Sequence, residues 1–181
     1  MVALLTALVA VLAYFGGFIK IGGLASISLT LVPVVFGAVL CGPLAGAWLG
    51  GVAGAVFFLN PADAAFWLGL SVHGTIITVM AKGILAGLLA GLVYQALKRV
   101  NRYFAIVVSA IVCPVVNTGI FLLGCLAFFM EAVGSGAAAA SMTVGGYLII
   151  VFVGLNFVFE LLVNAVLSPV LVRLVDIAKK K

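Results

Sequence analysis

The chain has 181 residues, of which 67% are hydrophobic and only 7% are charged, and its net charge is +5 at pH 7. A soluble domain carries charge on about a quarter of its residues. This composition therefore excludes an ordinary water-soluble fold and predicts a polytopic membrane protein whose apolar surface faces lipid. The positive charge is concentrated in residues 98–102 and 173–181. Basic residues in such positions orient a membrane protein, so they do not indicate a nucleic-acid surface.

Apolar runs separated by glycine, proline and polar residues predict an all-α fold, a single membrane domain over residues 1–181. Six helices are expected, with bounds of about 2–16, 28–41, 43–59, 74–97, 103–129 and 144–174. The second and third are shorter than the roughly 20 residues that span a bilayer, so we expect them to be tilted or broken where the backbone lines a cavity. The turn between them is predicted at "CGPLAG". Residues 60–73 are predicted as a loop, and 130–143 as a flexible or re-entrant connection.

The basic residues predict the orientation. Lys98, Arg99 and Arg102 lie between the fourth and fifth helices, and Arg173 and the lysines at 179–181 follow the sixth. Both groups are expected in the cytoplasm, which places both termini there. The segments that then face outward are 17–28, 60–73 and 130–143. Lys20 is then a basic residue on the outer side, explained either by snorkelling to the interface or by contact with a ligand.

Small residues recur every four positions on three helices. The series are Gly42, Gly46, Gly50 and Gly54; Gly83, Gly87 and Gly91; and Ala3 with Ala7. Each series gives one helix a smooth face that another backbone can approach. For the glycines we expect packing within the protein. For Ala3 and Ala7, a face that binds another protein is a competing interpretation.

Polar side chains at membrane depth are costly and indicate function by default. The residues concerned are Lys82, Asn117, Asn156, Glu160 and Asn164. With a rise of about 1.5 Å per residue, Lys82, Asn117 and Asn156 lie roughly 12–20 Å below the outer ends of their helices. They can therefore share one layer, and Asn156, Glu160 and Asn164 share one helix face at i, i+4 and i+8.

Two interpretations of this layer stay open and are compatible. In one, Lys82 and Glu160 form a structural ion pair between helices. In the other, Lys82 is the charge partner of an anionic or strongly polar ligand, to which the asparagines form hydrogen bonds. Glu160 then either binds the ligand or holds Lys82.

Two residues of the outer segment 60–73 are further candidates. Trp67 is either an interfacial anchor or a cover over a bound ligand. His73, the single histidine, either touches the ligand, caps a helix or meets solvent. The sequence has no metal-site spacing, nucleophile–base pair, Walker motif or dinucleotide fingerprint, so neither a cofactor nor an enzyme activity is predicted.

Residues 27–58, "ISLTLVPVVFGAVLCGPLAGAWLGGVAGAVFF", resemble the second and third helices of the substrate-binding S components of energy-coupling-factor (ECF) vitamin transporters. The most specific part is the proline, the "GA" and the "GP-x-AG-x-x-x-G" between residues 33 and 54. Ala3-x-x-x-Ala7 is similar to the first-helix motif by which such proteins dock to their transmembrane coupling subunit.

The resemblance implies a six-helix S-component bundle with both termini in the cytoplasm of a bacterial cell. It also implies a vitamin held near the outer face, and three partners: the transmembrane coupling subunit and two ATPases. "AKGILAGLLAG" and "CPVVNTGIFLLG" look most like the pantothenate branch. A carboxylate for Lys82 and hydroxyl and amide groups for the asparagines agree with that ligand. Riboflavin or another vitamin is the alternative.

A self-sufficient secondary transporter is the competing class. Such proteins often contain internal repeats, and the sequence shows no repeat beyond the glycine series. An S component alone binds its vitamin tightly but needs the energising module for sustained uptake, whereas a secondary transporter carries out ion-coupled uptake by itself.

Overall fold

The computed structural model describes residues 1–16, 20–21, 25–26 and 29–179. Within these ranges, the side chains at 20–21, 25–26, 62–63, 152–153, 155–156, 168, 171 and 174–179 lie outside the description. The described chain is almost entirely helical, apart from a two-residue antiparallel strand pair, β1 (Lys20–Ile21) with β2 (Ala25–Ser26), after the first helix.

The first three helices are short and apolar: α1 (Val2–Gly16), α2 (Leu31–Cys41) and α3 (Pro43–Phe57). The predicted turn at "CGPLAG" is confirmed. Gly42 joins α2 to α3 with φ of 99°, a conformation that favours glycine. Pro43 then takes the first position of α3, where its fixed φ suits a helix start and its missing N–H costs nothing.

The glycine series of α3 packs directly on that of the long helix α5 (Val72–Leu97). A Cβ built on Gly46 would fall against the carbonyl of Gly87, and one built on Gly50 against the carbonyl of Gly83. The expectation of close backbone packing is therefore confirmed for these positions. Gly42 is the exception, because it lies in the turn and its nearest neighbour is the side chain of Gln95.

The segment predicted as an outer loop is helical instead: α4 covers Pro61–Leu70. Its physical basis is visible in the sequence, because Pro61 occupies the first helical position and most of the following residues are apolar. Ser71 ends the connection and caps α5, its hydroxyl accepting a hydrogen bond from the Gly74 N–H at 3.2 Å.

The next helix, α6 (Arg102–Phe128), is capped by Asn101, whose side chain accepts hydrogen bonds from the N–H groups of Tyr103 and Phe104 at 2.9 and 3.1 Å. Helix α6 packs along α5. Ser109 of α6 donates a hydrogen bond to the carbonyl of Ala90 on α5, which satisfies a buried hydroxyl at the interface of the two helices.

The stretch predicted as a flexible or re-entrant connection also contains a helix, α7 (Met130–Ala139). It meets the helical segment after it at 94°, the geometry of a broken span or a re-entrant hairpin, so only the flexible interpretation is wrong. That segment consists of α8 (Val144–Tyr147) and a π-helical stretch, Leu148–Val153, which continues into α9 (Gly154–Lys179). Val133 and Ala137 of α7 are buried, which explains the order of this segment.

Two helices, α5 and α6, are long and apolar enough to cross a membrane, and the bent pair at α7 adds a third if it is counted as one span. Helices α1, α2 and α3 and residues Phe157–Leu167 are apolar but shorter. Large apolar side chains such as Leu44, Leu123 and Val166 are 64–81% exposed, as expected of a surface that contacts lipid. The count of six crossings and the cytoplasmic location of the termini stay predictions.

We expect Gly50→Ala to destabilise the protein, because its new methyl group would overlap the backbone of Gly83 and overpacking costs about 1–3 kcal/mol. Thermal unfolding in detergent measures this effect. Gly69→Ala is the matched control, since a Cβ there meets nothing within 4 Å. Equal stability of the two variants would contradict the assigned α3–α5 contact.

Candidate functional site

A cavity of about 260 Å³, part of it open, lies where α5 begins and α6 ends. That end of the bundle is the one that the basic residues predict to face outward. The lining combines one ammonium group, two hydroxyl groups and an otherwise apolar, largely aromatic wall. The residues are Phe57, Trp67, Thr75, Thr78, Val79, Lys82, Phe121 and Phe129.

Lys82 projects from α5 and is half-buried. Its Nζ lies 5.2 Å from the centroid of the Phe121 ring, within the range of a cation–π contact. The aromatic face offsets part of the cost of holding a cation at this depth. Lys82 is also one of the residues that line the cavity.

Trp67 of α4 connects the aromatic side chains of the wall. Its ring centroid lies 5.4 Å from that of Phe121 and 5.2 Å from that of Phe129, with interplanar angles of 83° and 67°. Phe66 packs on its other side at 5.3 Å. These edge-to-face pairs join α4 to the end of α6 and to the residue before α7, so one segment predicted as a connection, 60–73, contributes to the wall.

The two threonines of the cavity differ in hydrogen bonding. The Thr75 hydroxyl lies 2.7 Å from both the Trp67 and the Ser71 carbonyl oxygens, so it ties α5 to α4. Thr78 is one turn further along α5 and only 3% exposed. Its Oγ1 has no hydrogen-bond partner within the described part of the chain.

Three other polar residues predicted to lie at membrane depth are buried on α6 and α9. Asn117 is 7% exposed, Glu160 5% and Asn164 0%. The Asn164 amide donates to the Glu160 backbone carbonyl at 2.9 Å. None of the three is among the side chains that line the cavity, although Asn117 lies one helical turn before Phe121 on α6.

The remaining predicted site residues lie elsewhere or outside the description. His73 is exposed in the first turn of α5 and is not part of the lining. The side chains of Lys20 and Asn156 lie outside the described residues. Ala3 and Ala7 are both exposed on α1, beside Leu4 and Leu8, which are 70% and 44% exposed.

Most of the cavity lining went unpredicted, and part of it has a sequence signal. Thr75, Thr78 and Lys82 follow the i, i+3, i+7 spacing of one helix face, so helical spacing read from Lys82 would have found both hydroxyls. The aromatic residues Phe57, Phe121 and Phe129 have no such signal, because phenylalanines are frequent throughout this chain.

A helical chain with an apolar exterior and a small cavity of mixed polarity has the architecture of a membrane protein that binds a small solute. Residues 1–172 match the family model described as "ECF transporter, substrate-specific component". The chain belongs to that family, whose members are transporter subunits. Comparison with curated proteins and with solved structures gave no match.

Proposed function

We propose that this protein captures a vitamin, with pantothenate the best fit, from outside the cell and delivers it through the ECF coupling module. Family membership supports the role of a substrate-binding subunit. The observation that carries the ligand assignment is the ammonium of Lys82 lining a cavity with aromatic walls.

The charge of Lys82 favours a ligand with a carboxylate. In a site of low dielectric constant, a charge-assisted hydrogen bond is shorter and about twice as strong as a neutral one. Lys82 is the one cation among the described residues of the lining, and it suits the single carboxylate of pantothenate.

The packing of the rings favours an aliphatic ligand over a flavin. Trp67 packs edge-to-face with three phenylalanines, so these rings contact one another rather than forming two parallel faces around a flat ligand. Riboflavin or another vitamin is the alternative substrate.

The other candidate residues take supporting roles in this proposal. Trp67 covers the ligand, Asn117 and Asn156 form hydrogen bonds to it, and Glu160 either binds it or holds Lys82. Lys20 and His73 contact the ligand from the outer side. Asn117 and Glu160 are buried, so they contact neither solvent nor lipid, and this supports a role for them inside the protein.

The same proposal assigns the protein to the bacterial plasma membrane as a six-helix, multi-pass bundle with both termini in the cytoplasm. Its partners are the ECF transmembrane coupling subunit and two ATPase subunits. Exposure of Ala3 and Ala7 on an apolar face of α1 supports docking of the coupling subunit there, because small residues allow close approach of another helix.

The first test is mass spectrometry of small molecules released from the gently purified protein. We expect pantothenate to copurify. Recovery of riboflavin would replace the substrate and keep the function. The function itself would be contradicted if no vitamin is recovered and the purified chain alone sustains ion-coupled uptake in liposomes.

We expect Lys82→Ala to weaken pantothenate binding about 10- to 150-fold, the equivalent of the 1.5–3 kcal/mol typical of a hydrogen bond to a charged group. Isothermal titration calorimetry measures the change. Lys98→Ala is the control, since Lys98 is exposed beyond the end of α5. Unchanged affinity of Lys82→Ala would assign Lys82 a structural role.

Ala3→Trp and Ala7→Trp are each expected to leave vitamin binding intact and to abolish most vitamin uptake by the reconstituted complex, because an indole would separate α1 from the coupling subunit. Leu123→Trp, at a 64% exposed position on α6, controls for a bulky ring on the lipid-facing surface. Normal uptake by both alanine variants would remove the docking assignment.

A further inference from the structure

The Thr78 hydroxyl is a buried polar group that the fold leaves unused. Thr78 is 3% exposed and lines the cavity, yet its Oγ1 has no partner within the described residues. Leaving a hydroxyl without a hydrogen bond in an apolar environment costs about 1–3 kcal/mol. Buried hydroxyls in folded proteins are therefore nearly always paired, and an exception calls for an explanation.

Thr78 does not form the hydrogen bond that a helical threonine usually forms within its own helix. A helical threonine commonly donates back to the carbonyl four residues earlier, and Thr75 does this to Ser71 at 2.7 Å. Thr78, on the same face of the same helix, makes no such bond. Hence residue type alone does not account for the difference between the two threonines.

Packing from α6 fixes the Thr78 side chain in place. A Cβ built on Gly124 would overlap both branches of Thr78, its methyl group and its hydroxyl. Only a glycine at position 124 leaves room for Thr78 as it lies. The Thr78 side chain is thus held beside α6 by a contact that any larger residue at position 124 would break.

Thr78 and Lys82 are four residues apart on α5, so their Cβ atoms are about 5–6 Å apart along one face. A ligand whose carboxylate meets Lys82 therefore brings its neighbouring atoms beside Thr78. An amide or hydroxyl group a few bonds from the carboxylate spans this distance. The rest of the cavity wall is largely aromatic and suits the apolar part of the ligand.

We propose that Thr78 is a ligand-binding residue that selects small carboxylates with an amide or hydroxyl group a few bonds from the carboxylate. The inference rests on the proposed function and deepens it. Lys82 binds the carboxylate, and the Thr78 hydroxyl exchanges a hydrogen bond with the second group. An aliphatic carboxylate without that group leaves the Thr78 hydroxyl unpaired and binds more weakly.

The first arm of the test uses the protein without ligand. Thr78→Val removes the hydroxyl and keeps the shape, so the unfolding temperature in detergent is expected to stay the same or rise. Thr75→Val, which loses the hydrogen bonds to α4 and α5, is expected to lower it. A fall for Thr78→Val as large as that for Thr75→Val would show that the hydroxyl is already paired in the protein and would overturn the inference.

The second arm uses radiolabelled pantothenate. Thr78→Val is expected to raise its Kd about three- to tenfold, the factor for one neutral hydrogen bond, while Thr78→Ser stays within about twofold of the wild type because it keeps a hydroxyl. Thr118→Val, a substitution on α6 outside the cavity lining, is the matched control.

Pantothenol is the analogue of pantothenate in which an alcohol group replaces the carboxylate, and its competition for the site identifies which group Thr78 contacts. If Thr78 contacts the amide or a hydroxyl, Thr78→Val weakens the binding of pantothenol by the same factor as the binding of pantothenate. Loss of the effect with pantothenol would mean that Thr78 contacts the carboxylate and would overturn the proposed selectivity.

The outcomes separate this inference from the function on which it rests. Wild-type binding of pantothenate with no change in Thr78→Val overturns the role of Thr78 alone. A wild-type protein that does not bind pantothenate overturns the substrate assignment and the ligand class together.

Discussion

The position of the candidate site depends on one contact, the glycine-to-glycine approach of α3 and α5. Gly50 and Gly83 place backbone against backbone, which only residues without a side chain allow. Lys82 precedes Gly83 in the chain, so one residue of α5 packs on α3 and the residue before it carries the charge of the candidate site. Because consecutive helical residues differ by about 100° in direction, anchoring Gly83 on α3 turns Lys82 toward Phe121 of α6. The glycine contact between α3 and α5 thereby fixes the direction in which the Lys82 side chain points.

An ammonium at this depth needs compensation from its surroundings, since a charged side chain in the middle of a membrane helix costs about 2.5–3.5 kcal/mol on insertion scales. The Phe121 ring supplies a cation–π contact, worth about 0.5–2 kcal/mol. The cavity supplies room for polar atoms of a ligand or of water. Thr78 adds a buried hydroxyl to the same cavity, and its Oγ1 has no hydrogen-bond partner among the described residues.

The sequence predicts the parts of this fold that follow from hydrophobic runs and small-residue spacing. The turn at Gly42, the glycine stripes and the position of Lys82 within a helix are all visible in it, because each depends on local residue types. Helices α4 and α7 were missed, since the Pro, Gly and polar residues at 60–73 and the Gly and Ser residues at 130–143 are also typical of connections. For α4 the sequence does hold a signal, Pro61 at the first helical position followed by mostly apolar residues. For α7 the burial of Val133 and Ala137 shows the contribution of tertiary packing. The aromatic wall was missed for the same reason, because no local pattern tells which phenylalanines meet.

The missed helix α4 contributes Trp67 to the cavity wall, where ring contacts and a hydrogen bond hold it. Trp67 holds α4 to Phe121 and Phe129 through two edge-to-face contacts, each worth about 0.5–1.5 kcal/mol beyond the area that it buries. Thr75 adds a hydrogen bond to the Trp67 carbonyl, worth about 0.5–1.5 kcal/mol. These contacts hold α4 against the ends of α5 and α6, whereas α3 and α5 meet backbone to backbone at Gly50 and Gly83. The cavity is thus bounded by aromatic side chains on one side and, on the other, by a helix that the glycine interface positions.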